Sequence, residues 1–163
     1  MKLLILGYGR HGKDTLAEIF RDNFGMSFIS SSLAACEIAI FPILKEKYNY
    51  KTKEECYGDR HRRRKEWYDM ICNYNKDDGA RLCKDILKLN DCYVGMRSKR
   101  EFDASKHLFN LIIFVDASER HPVESNESCT ISRKDADIII MNDGSLKDFE
   151  EKALKLGKIL FEK

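Results

Sequence analysis

The sequence has no excess of charge of one sign and no long apolar run. Lysine and arginine number 29 against 27 aspartate and glutamate residues, so no overall basic field favours a nucleic-acid partner. Nothing approaches the roughly 18 consecutive apolar residues of a membrane-spanning helix. The apolar run at the N-terminus is also too short for a signal peptide. We therefore expect a cytoplasmic protein with neither a nucleic-acid nor a membrane partner.

The cysteines lack the spacing of a metal site. Six cysteines and four histidines are present, but no C-x-x-C pair occurs, and such pairs are typical of zinc sites. We interpret the cysteines as reduced thiols. No internal repeat or low-complexity segment is visible. A chain of 163 residues suits one domain, so we expect residues 1–163 to form a single domain.

The strongest motif is a glycine-rich loop near the N-terminus. An apolar run ends at Gly7-Tyr8-Gly9-Arg10-His11-Gly12-Lys13-Asp14-Thr15, after which apolar residues recur at helical spacing. A loop between a strand and a helix offers backbone N–H groups and a helix N-terminus to phosphate. The P-loop pattern G-x-x-x-x-G-K-[ST] is matched at Gly7, Gly12 and Lys13, with Asp14 in the hydroxyl position. The loop therefore predicts a phosphate-binding site that Lys13 completes.

The same glycines also match a dinucleotide-binding pattern, G-x-G-x-x-G, through Gly7, Gly9 and Gly12. That site needs an acidic residue at the end of the second strand, where this sequence has serines at 30–32. Lys13 directly after the last glycine is a P-loop feature. We favour the P-loop. An NADP-dependent oxidoreductase, with the serines near a 2′-phosphate, is the alternative.

Apolar strands alternate with helical segments along the chain. The predicted strands cover 3–6, 26–30, 92–96, 111–116 and 137–141. This alternation indicates an α/β fold with a five-stranded parallel sheet and helices on both faces. Residues 33–90 are expected to form a small helical insertion, in which Pro42 kinks or breaks a helix. The aperiodic segment 117–135 is expected to form a short lid.

Helix ends carry their own signals in this sequence. Gly25 follows the first helical segment and is expected to end it. Thr52 with Glu55, and Ser145 with Asp148, are the polar pairs of two capping boxes. In a capping box each side chain accepts a hydrogen bond from the other residue's backbone N–H. The sequence therefore predicts helix starts directly after Thr52 and Ser145.

The most basic stretch, residues 59–65, contains a candidate substrate site. At helical spacing Arg64 and Trp67 share one stripe, and Arg63 lies beside it. Guanidinium groups in line with an aromatic ring can hold a phosphate while the ring stacks on a base. Arg63, Arg64 and Trp67 are therefore candidate substrate residues. A solvated helix face with Trp67 packed in the core is the alternative.

Arg97 follows the third predicted strand. In open parallel sheets, ligands bind beyond the carboxyl ends of the strands, so Arg97 is placed where a site is expected. The structural alternative is an ion pair between Arg97 and Glu101 within one helix turn.

Three segments together make the chain resemble the phage-type deoxynucleoside monophosphate kinases of the P-loop nucleoside monophosphate kinase superfamily. They are G-x-x-x-x-G-K-D-T from Gly7 to Thr15, R-x-x-x-E from Arg97 to Glu101, and Asn142-Asp143-Gly144-Ser145-Leu146 before the last helix. The resemblance implies a P-loop kinase fold, ATP and Mg²⁺ as cofactors, and small-molecule nucleotides as partners. The implied reaction transfers the γ-phosphate of ATP to a (deoxy)nucleoside monophosphate and gives the diphosphate.

The resemblance also implies roles for single residues. The donor nucleotide would be bound by Gly7, Gly9, Arg10, His11, Gly12, Lys13, Asp14, Thr15, Asn142 and Gly144. Asp14 would also hold the metal. Arg97 would bind the acceptor phosphate beside Glu101, and Arg120 in the lid would close over the transferring group. Lys13, Arg97 and Arg120 are thus the implied catalytic residues.

A protein that binds nucleotides without catalysis is a further alternative. The family tends to place a carboxylate at the end of the third strand, where this chain has Gly95 and Met96. No part of the sequence predicts an oligomeric state.

Overall fold

Five parallel strands form the central sheet. The computed structural model describes residues 1–125 and 129–162. The strands are β1 Leu3–Leu6, β2 Phe28–Ser30, β3 Cys92–Val94, β4 Leu111–Asp116 and β5 Ile138–Met141. Their order across the sheet is β2-β3-β1-β4-β5, and every neighbouring pair is parallel. The predicted five-stranded parallel sheet is confirmed, with β2, β3 and β5 shorter than expected. Because β1 is central, the glycine loop at its carboxyl end lies at the middle of the sheet edge.

The strand order argues against the dinucleotide-binding interpretation. That fold has the order 3-2-1-4-5-6, in which the second strand lies beside the first. Here β3 separates β2 from β1, and Leu3 of β1 is instead level with Cys92 of β3. The serines that follow β2 are therefore two strands away from the strand that carries the glycine loop.

Helices cover both faces of the sheet, as predicted. They are α1 Lys13–Phe24, α2 Ser31–Ala35, α3 Phe41–Tyr48, α4 Lys53–Gly58, α5 Arg64–Tyr74, α6 Arg81–Leu89, α7 Lys99–Ser105 and α8 Leu146–Phe161. Alternate side chains of a strand point to opposite faces, so Leu3 and Ile5 join one core with α1 and α8. Leu4 and Leu6 join the other core with the helices of the insertion. None of the helices in the described residues has an apolar stretch that would span a bilayer.

The predicted disturbance at Pro42 takes the form of a π-helical segment. Cys36–Ile40 has this wider winding and joins α2 to α3, and Pro42 lies in the first turn of α3. Proline lacks an N–H group and its ring displaces the carbonyl four residues earlier, here that of Ile38. A wider turn at that point accommodates the ring without ending the helical path.

The predicted helix ends are found with one difference. Gly25 ends α1 in the left-handed conformation at φ 70°. Ser145 and Asp148 form a complete capping box at the start of α8. Thr52 accepts a hydrogen bond from the Glu55 N–H at 3.3 Å, but the Glu55 carboxylate accepts from the N–H of Lys51. The first box is therefore only half formed.

Gly157 allows α8 to approach α1 closely, and its replacement tests this packing. A Cβ at Gly157 would overlap the ring of Phe24, which is itself stacked on Phe161 at 5.4 Å. We expect Gly157→Ala to lower the free energy of unfolding by about 1–3 kcal/mol, because a packed ring has to move. Urea unfolding measures the loss. Gly58→Ala is the control, since nothing lies within 4 Å of that position; equal stability of the two variants would contradict the packing argument.

Candidate functional site

The loop between β1 and α1 has a backbone that needs glycine at two positions. Gly7 has φ 153° and Gly12 has φ 100°, and Arg10 between them has φ 65°. A Cβ at Gly7 would lie 2.8 Å from the carbonyl oxygen of Val115, and one at Gly12 would lie 2.6 Å from Nδ2 of Asn142. Glycine is therefore required for space as well as for conformation, because the loop packs against the ends of β4 and β5.

The start of α1 is left without a side-chain cap. Gly12 occupies the N-cap position and makes no side-chain hydrogen bond. The first N–H groups of a helix have no partner within the helix, and a serine or aspartate at the N-cap would normally satisfy one of them. The N–H groups of Lys13, Asp14 and Thr15, with the positive end of the helix dipole, therefore offer a site to an anion.

The side chain of His11 is used inside the protein. Its imidazole is fully buried, Nδ1 accepts a hydrogen bond from the Ala117 N–H at 3.0 Å, and Nε2 lies 3.4 Å from the Pro122 carbonyl oxygen. This pair of contacts requires the ring proton on Nε2. The backbone N–H of His11 donates to Tyr8 at 3.3 Å. His11 therefore connects the loop to the lid and does not present its ring to a ligand.

Lys13 lies across the end of β3. Its Nζ is 3.6 Å from the Asp14 carboxylate, and a Cβ built at Gly95 would lie 3.2 Å from Cε of Lys13. Gly95 also has φ 89°, a conformation that residues with a Cβ rarely adopt. The lysine stem thus occupies the space into which a carboxylate at position 95 would project.

A carboxylate of the lid lies between the loop and Arg97. Glu124 accepts a hydrogen bond from the Gly9 N–H at 3.1 Å and one from the Arg97 guanidinium at 2.7 Å. Burial by itself raises the pKa of Glu124, but Arg97, the Gly9 N–H and the charge of Lys13 together hold it below its usual value. Glu124 is therefore an ionised group bound where loop and arginine meet. Its place in the lid was its only sequence signal, and sequence analysis missed it.

Arg120 lies on the other side of the loop from this contact. Its guanidinium donates to the carbonyl oxygen of Asn142 at 2.9 and 2.7 Å and to Oδ1 of Asn142 at 2.7 Å. Asn142 in turn donates from Nδ2 to the carbonyl oxygen of His11 at 2.9 Å. Arg120, predicted to be catalytic, and Asn142, predicted to bind the donor, are thus brought together. In this structure Arg120 reaches the loop through Asn142.

Gly144 lies in the turn that begins α8. A Cβ there would be 2.7 Å from Oδ2 of Asp148, the residue that completes the capping box. The contacts of this glycine are therefore explained by the helix start.

The rest of the lid packs on α7 and β4. Thr130 donates from its N–H to the Arg97 carbonyl oxygen at 3.0 Å, and its side chain accepts from the Lys99 N–H at 2.8 Å. Arg133 donates to the buried carboxylate of Asp116 at 3.0 Å. Residues 126–128 of the predicted lid lie outside the described residues. The described parts of the lid are therefore fixed to the sheet edge on both sides of the loop.

A cavity of about 240 Å³ lies next to Arg97, between the end of β3 and helices α5 and α6. Trp67, Ile71 and Met96 contribute apolar wall, and Asn75 and Glu101 contribute polar groups. Gly95, which is adjacent to Lys13, also lines the cavity. Mostly apolar walls with a few polar groups are typical of small-molecule sites. The cavity thus connects a candidate ligand site to the P-loop lysine.

Glu101 lines this cavity without a basic partner among the described residues. Its side chain accepts a hydrogen bond from the Tyr93 hydroxyl at 2.9 Å, and Arg97 pairs with Glu124 instead. The structural alternative of an Arg97–Glu101 ion pair is therefore wrong. Burial raises the pKa of Glu101 to about 7, against a smaller lowering by Tyr93. The predicted substrate residues Arg97 and Glu101 both lie at the cavity.

Arg63 lies outside the cavity. Its Nε donates to Asp59 at 2.7 Å and to the hydroxyl of Tyr50 at 3.0 Å, and its guanidinium lies 3.3 Å from the ring centre of Tyr48. It lines a separate, open depression of about 620 Å³. The structure does not bring Arg63 to the other predicted site residues, because its side chain is held by the insertion itself.

Arg64 and Trp67 both lie in α5, but their side chains differ in burial. The basic run begins as a 3₁₀ turn, Asp59–His61, and α5 starts only at Arg64. Arg64 is exposed, with Nη2 3.4 Å from Nδ1 of His61. Trp67 is buried, lines the cavity and has an indole N–H without a partner among the described residues. Of the three candidates from the basic stretch, the structure brings Trp67 alone to the cavity lining.

Comparison with solved structures shows the fold. Dephospho-CoA kinase from Campylobacter jejuni has a TM-score of 0.57 and 19% identity, with 99% of this chain and 98% of that chain covered. Shikimate kinase from Aquifex aeolicus has a TM-score of 0.52 and 14% identity over the full length of both chains. No family model matches the sequence, and no curated protein matches it. The predicted P-loop kinase fold is confirmed by the two structures.

Glu124 should compete with anions for the loop. We expect Glu124→Gln to bind tripolyphosphate about tenfold more tightly, because the variant no longer places a negative charge on the Gly9 N–H and Arg97. Isothermal titration calorimetry measures the affinity. Glu119→Gln, which changes an exposed lid carboxylate, is the control. Weaker binding by Glu124→Gln than by this control would contradict the competition.

Glu101 should make stability depend on pH. Its pKa is raised by burial from 4.5 to about 7 in the folded protein, so folding takes up a proton between these values and stability falls as the pH rises through them. We expect Glu101→Gln to exceed the wild type at pH 8 by on the order of 3 kcal/mol and to equal it near pH 4. Denaturant unfolding at several pH values checks this. The same pH dependence in Glu101→Gln as in the exposed control Glu54→Gln would exclude Glu101 as its source.

Proposed function

We propose that the protein is an ATP-dependent kinase that phosphorylates a (deoxy)nucleoside monophosphate to the diphosphate, as phage-type deoxynucleoside monophosphate kinases do. One observation carries the proposal: the Gly9 N–H and the Arg97 guanidinium meet at a single carboxylate, that of Glu124. An anion loop and an arginine from distant segments facing one point suit transfer between two phosphate groups.

The donor phosphates would lie on the glycine loop and the uncapped start of α1. Lys13 would contact them with its ammonium group. Magnesium bound to phosphates takes only one or two protein carboxylates, and the exposed Asp14 beside Lys13 fits this need. No group of three or more possible metal ligands occurs within residues 1–125 and 129–162. The metal would supply positive charge to the phosphates. The donor base would lie near Arg120 and Asn142.

The acceptor would occupy the cavity with its phosphate at Arg97. Its base would enter between the apolar walls that Trp67 and Ile71 provide, while its phosphate would replace Glu124 as the partner of Arg97. Phosphoryl transfer requires alignment, exclusion of water and positive charge around the transferring oxygens, and little covalent chemistry from the protein. Backbone N–H groups, Lys13 and Arg97 would supply the positive charge, and the protein itself needs no nucleophilic side chain.

A kinase with a hydroxyl acceptor is a second candidate, favoured by one observation. Glu101 lines the cavity and burial raises its pKa to about 7, a value suited to a general base at neutral pH. A hydroxyl acceptor needs its proton removed, whereas a monophosphate does not. The convergence of Arg97 with the loop favours an anionic acceptor, so the monophosphate kinase is our first proposal.

Replacing Lys13 tests the proposed transfer. With ATP and magnesium, a screen of the common ribo- and deoxyribonucleoside monophosphates should identify an acceptor by diphosphate formation. Lys13→Ala should lower turnover of that acceptor by about 10²–10³-fold, because a positive charge at the transferring group is lost. Lys155→Ala, on the exposed side of α8, is the control. Undiminished transfer by Lys13→Ala would remove the lysine from the mechanism.

A further inference from the structure

Glu101 leaves one carboxylate oxygen without a partner in the described part of the chain. Oε1 accepts from the Tyr93 hydroxyl, and no described residue donates a hydrogen bond to Oε2. Only 8% of the residue is exposed. A buried carboxylate without a cation is costly unless donors satisfy it. Because Glu101 lines the cavity, a ligand there is the available source of such donors.

Asn75 gives the same cavity a donor of fixed orientation. The Leu82 N–H donates to Oδ1 of Asn75 at 3.0 Å, so the amide nitrogen Nδ2 is left to donate to a ligand. That nitrogen has no partner among the described residues, and Asn75 lines the cavity. The cavity therefore presents an acceptor at Glu101 and a donor at Asn75.

The nucleobases differ in how they match these groups. Guanine carries two adjacent donors, N1–H and N2–H, which fit the two oxygens of a carboxylate, and O6 beside them accepts. Adenine and cytosine present one donor next to an acceptor. Thymine presents one donor between two acceptors. An ionised carboxylate accepts only, so it favours guanine and repels the acceptor atoms of the other bases.

We propose that Glu101 selects guanine in the acceptor nucleotide by accepting from N1–H and N2–H, while Asn75 donates to O6. This inference rests on the proposed function and names its substrate class. Arg97, beside the loop, holds the phosphate of the same molecule. Glu101 is then the specificity-determining residue of the site, and Trp67 contributes apolar wall for the base.

The selection depends on pH in a defined direction. Burial raises the pKa of Glu101 to about 7; above that value the carboxylate pairs with guanine, and below it the carboxyl offers a donor and an acceptor, as adenine requires. Preference for dGMP over dAMP therefore rises from pH 6 to pH 8. The other titratable or charged side chains around Glu101 or on the cavity wall are those of Tyr93, Cys83, Tyr68, Cys72, Arg97 and Arg100. Burial raises the pKa of Cys83 to about 12, and the pKa of Tyr93 is raised well above its usual value.

The variant Glu101→Gln tests the selection, because a glutamine amide offers one acceptor and one donor. In binding assays without ATP, fluorescence of Trp67, the only tryptophan, reports dGMP and dAMP in the cavity. We expect the wild type to prefer dGMP at pH 8 by about tenfold or more. Glu101→Gln should lose this preference and its pH dependence. Asp103→Asn, an exposed change on the same helix, should retain both.

The outcomes separate this inference from the proposed function. Transfer to monophosphates with an unchanged dGMP preference in Glu101→Gln overturns the selection and leaves the kinase. If Glu101→Gln lowers the rate of transfer by several powers of ten and leaves nucleotide binding unchanged, Glu101 acts as a general base. That result also overturns the selection. If the wild type forms no diphosphate from any monophosphate, the proposed function is wrong. The binding assay then tests the inference by itself. If Glu101→Gln does not fold, Asn75→Asp, which keeps the Leu82 contact, should weaken the binding of dGMP about tenfold. Unchanged dGMP binding by Asn75→Asp overturns the inference.

Discussion

Backbone N–H groups and one guanidinium, gathered at the carboxyl end of β1, need a negative partner. Gly12 leaves the start of α1 without a side-chain cap. Arg97 follows the carboxyl end of β3, which lies at the same edge of the sheet. In this structure the carboxylate of Glu124, in the lid, is that partner. The lid is therefore held to the loop by hydrogen bonds to one carboxylate. Arg120 and Arg133 fix the lid further, through Asn142 and Asp116.

The helices on the two faces of the sheet differ in how closely they pack. On one face α1 and α8 pack tightly around Gly157 and hold the loop in place. On the other, the helices of the insertion leave a cavity beside Lys13 and Arg97. Lys13 passes over Gly95, so a side chain at the end of β3 would obstruct it. The absence of a side chain at position 95 is therefore part of how this lysine is placed.

Much of the fold was predictable because its signals are local. The apolar run at Leu3–Leu6, the glycine loop and the capping box at Ser145 each depend on neighbouring residues, and the structure has all three. The positions of Arg63 and Arg64 were not predictable, because Arg63 comes before the start of α5 and the Arg64 side chain is exposed. Tyr50 and Asp59 then hold Arg63 away from the cavity. Such contacts join residues with no shared pattern.

The sequence alone determined that a strand, a glycine loop and a helix follow one another near the N-terminus, because φ preferences and helical periodicity act over a few residues. Tertiary structure decided what faces that loop. The position of β3 beside β1 brought Arg97 to the same carboxylate that Gly9 contacts, that of Glu124. Folding of the lid brought Glu124, 115 residues from Gly9 along the chain, into contact with the loop. Strand pairing and lid packing join distant segments, and no local pattern encodes them.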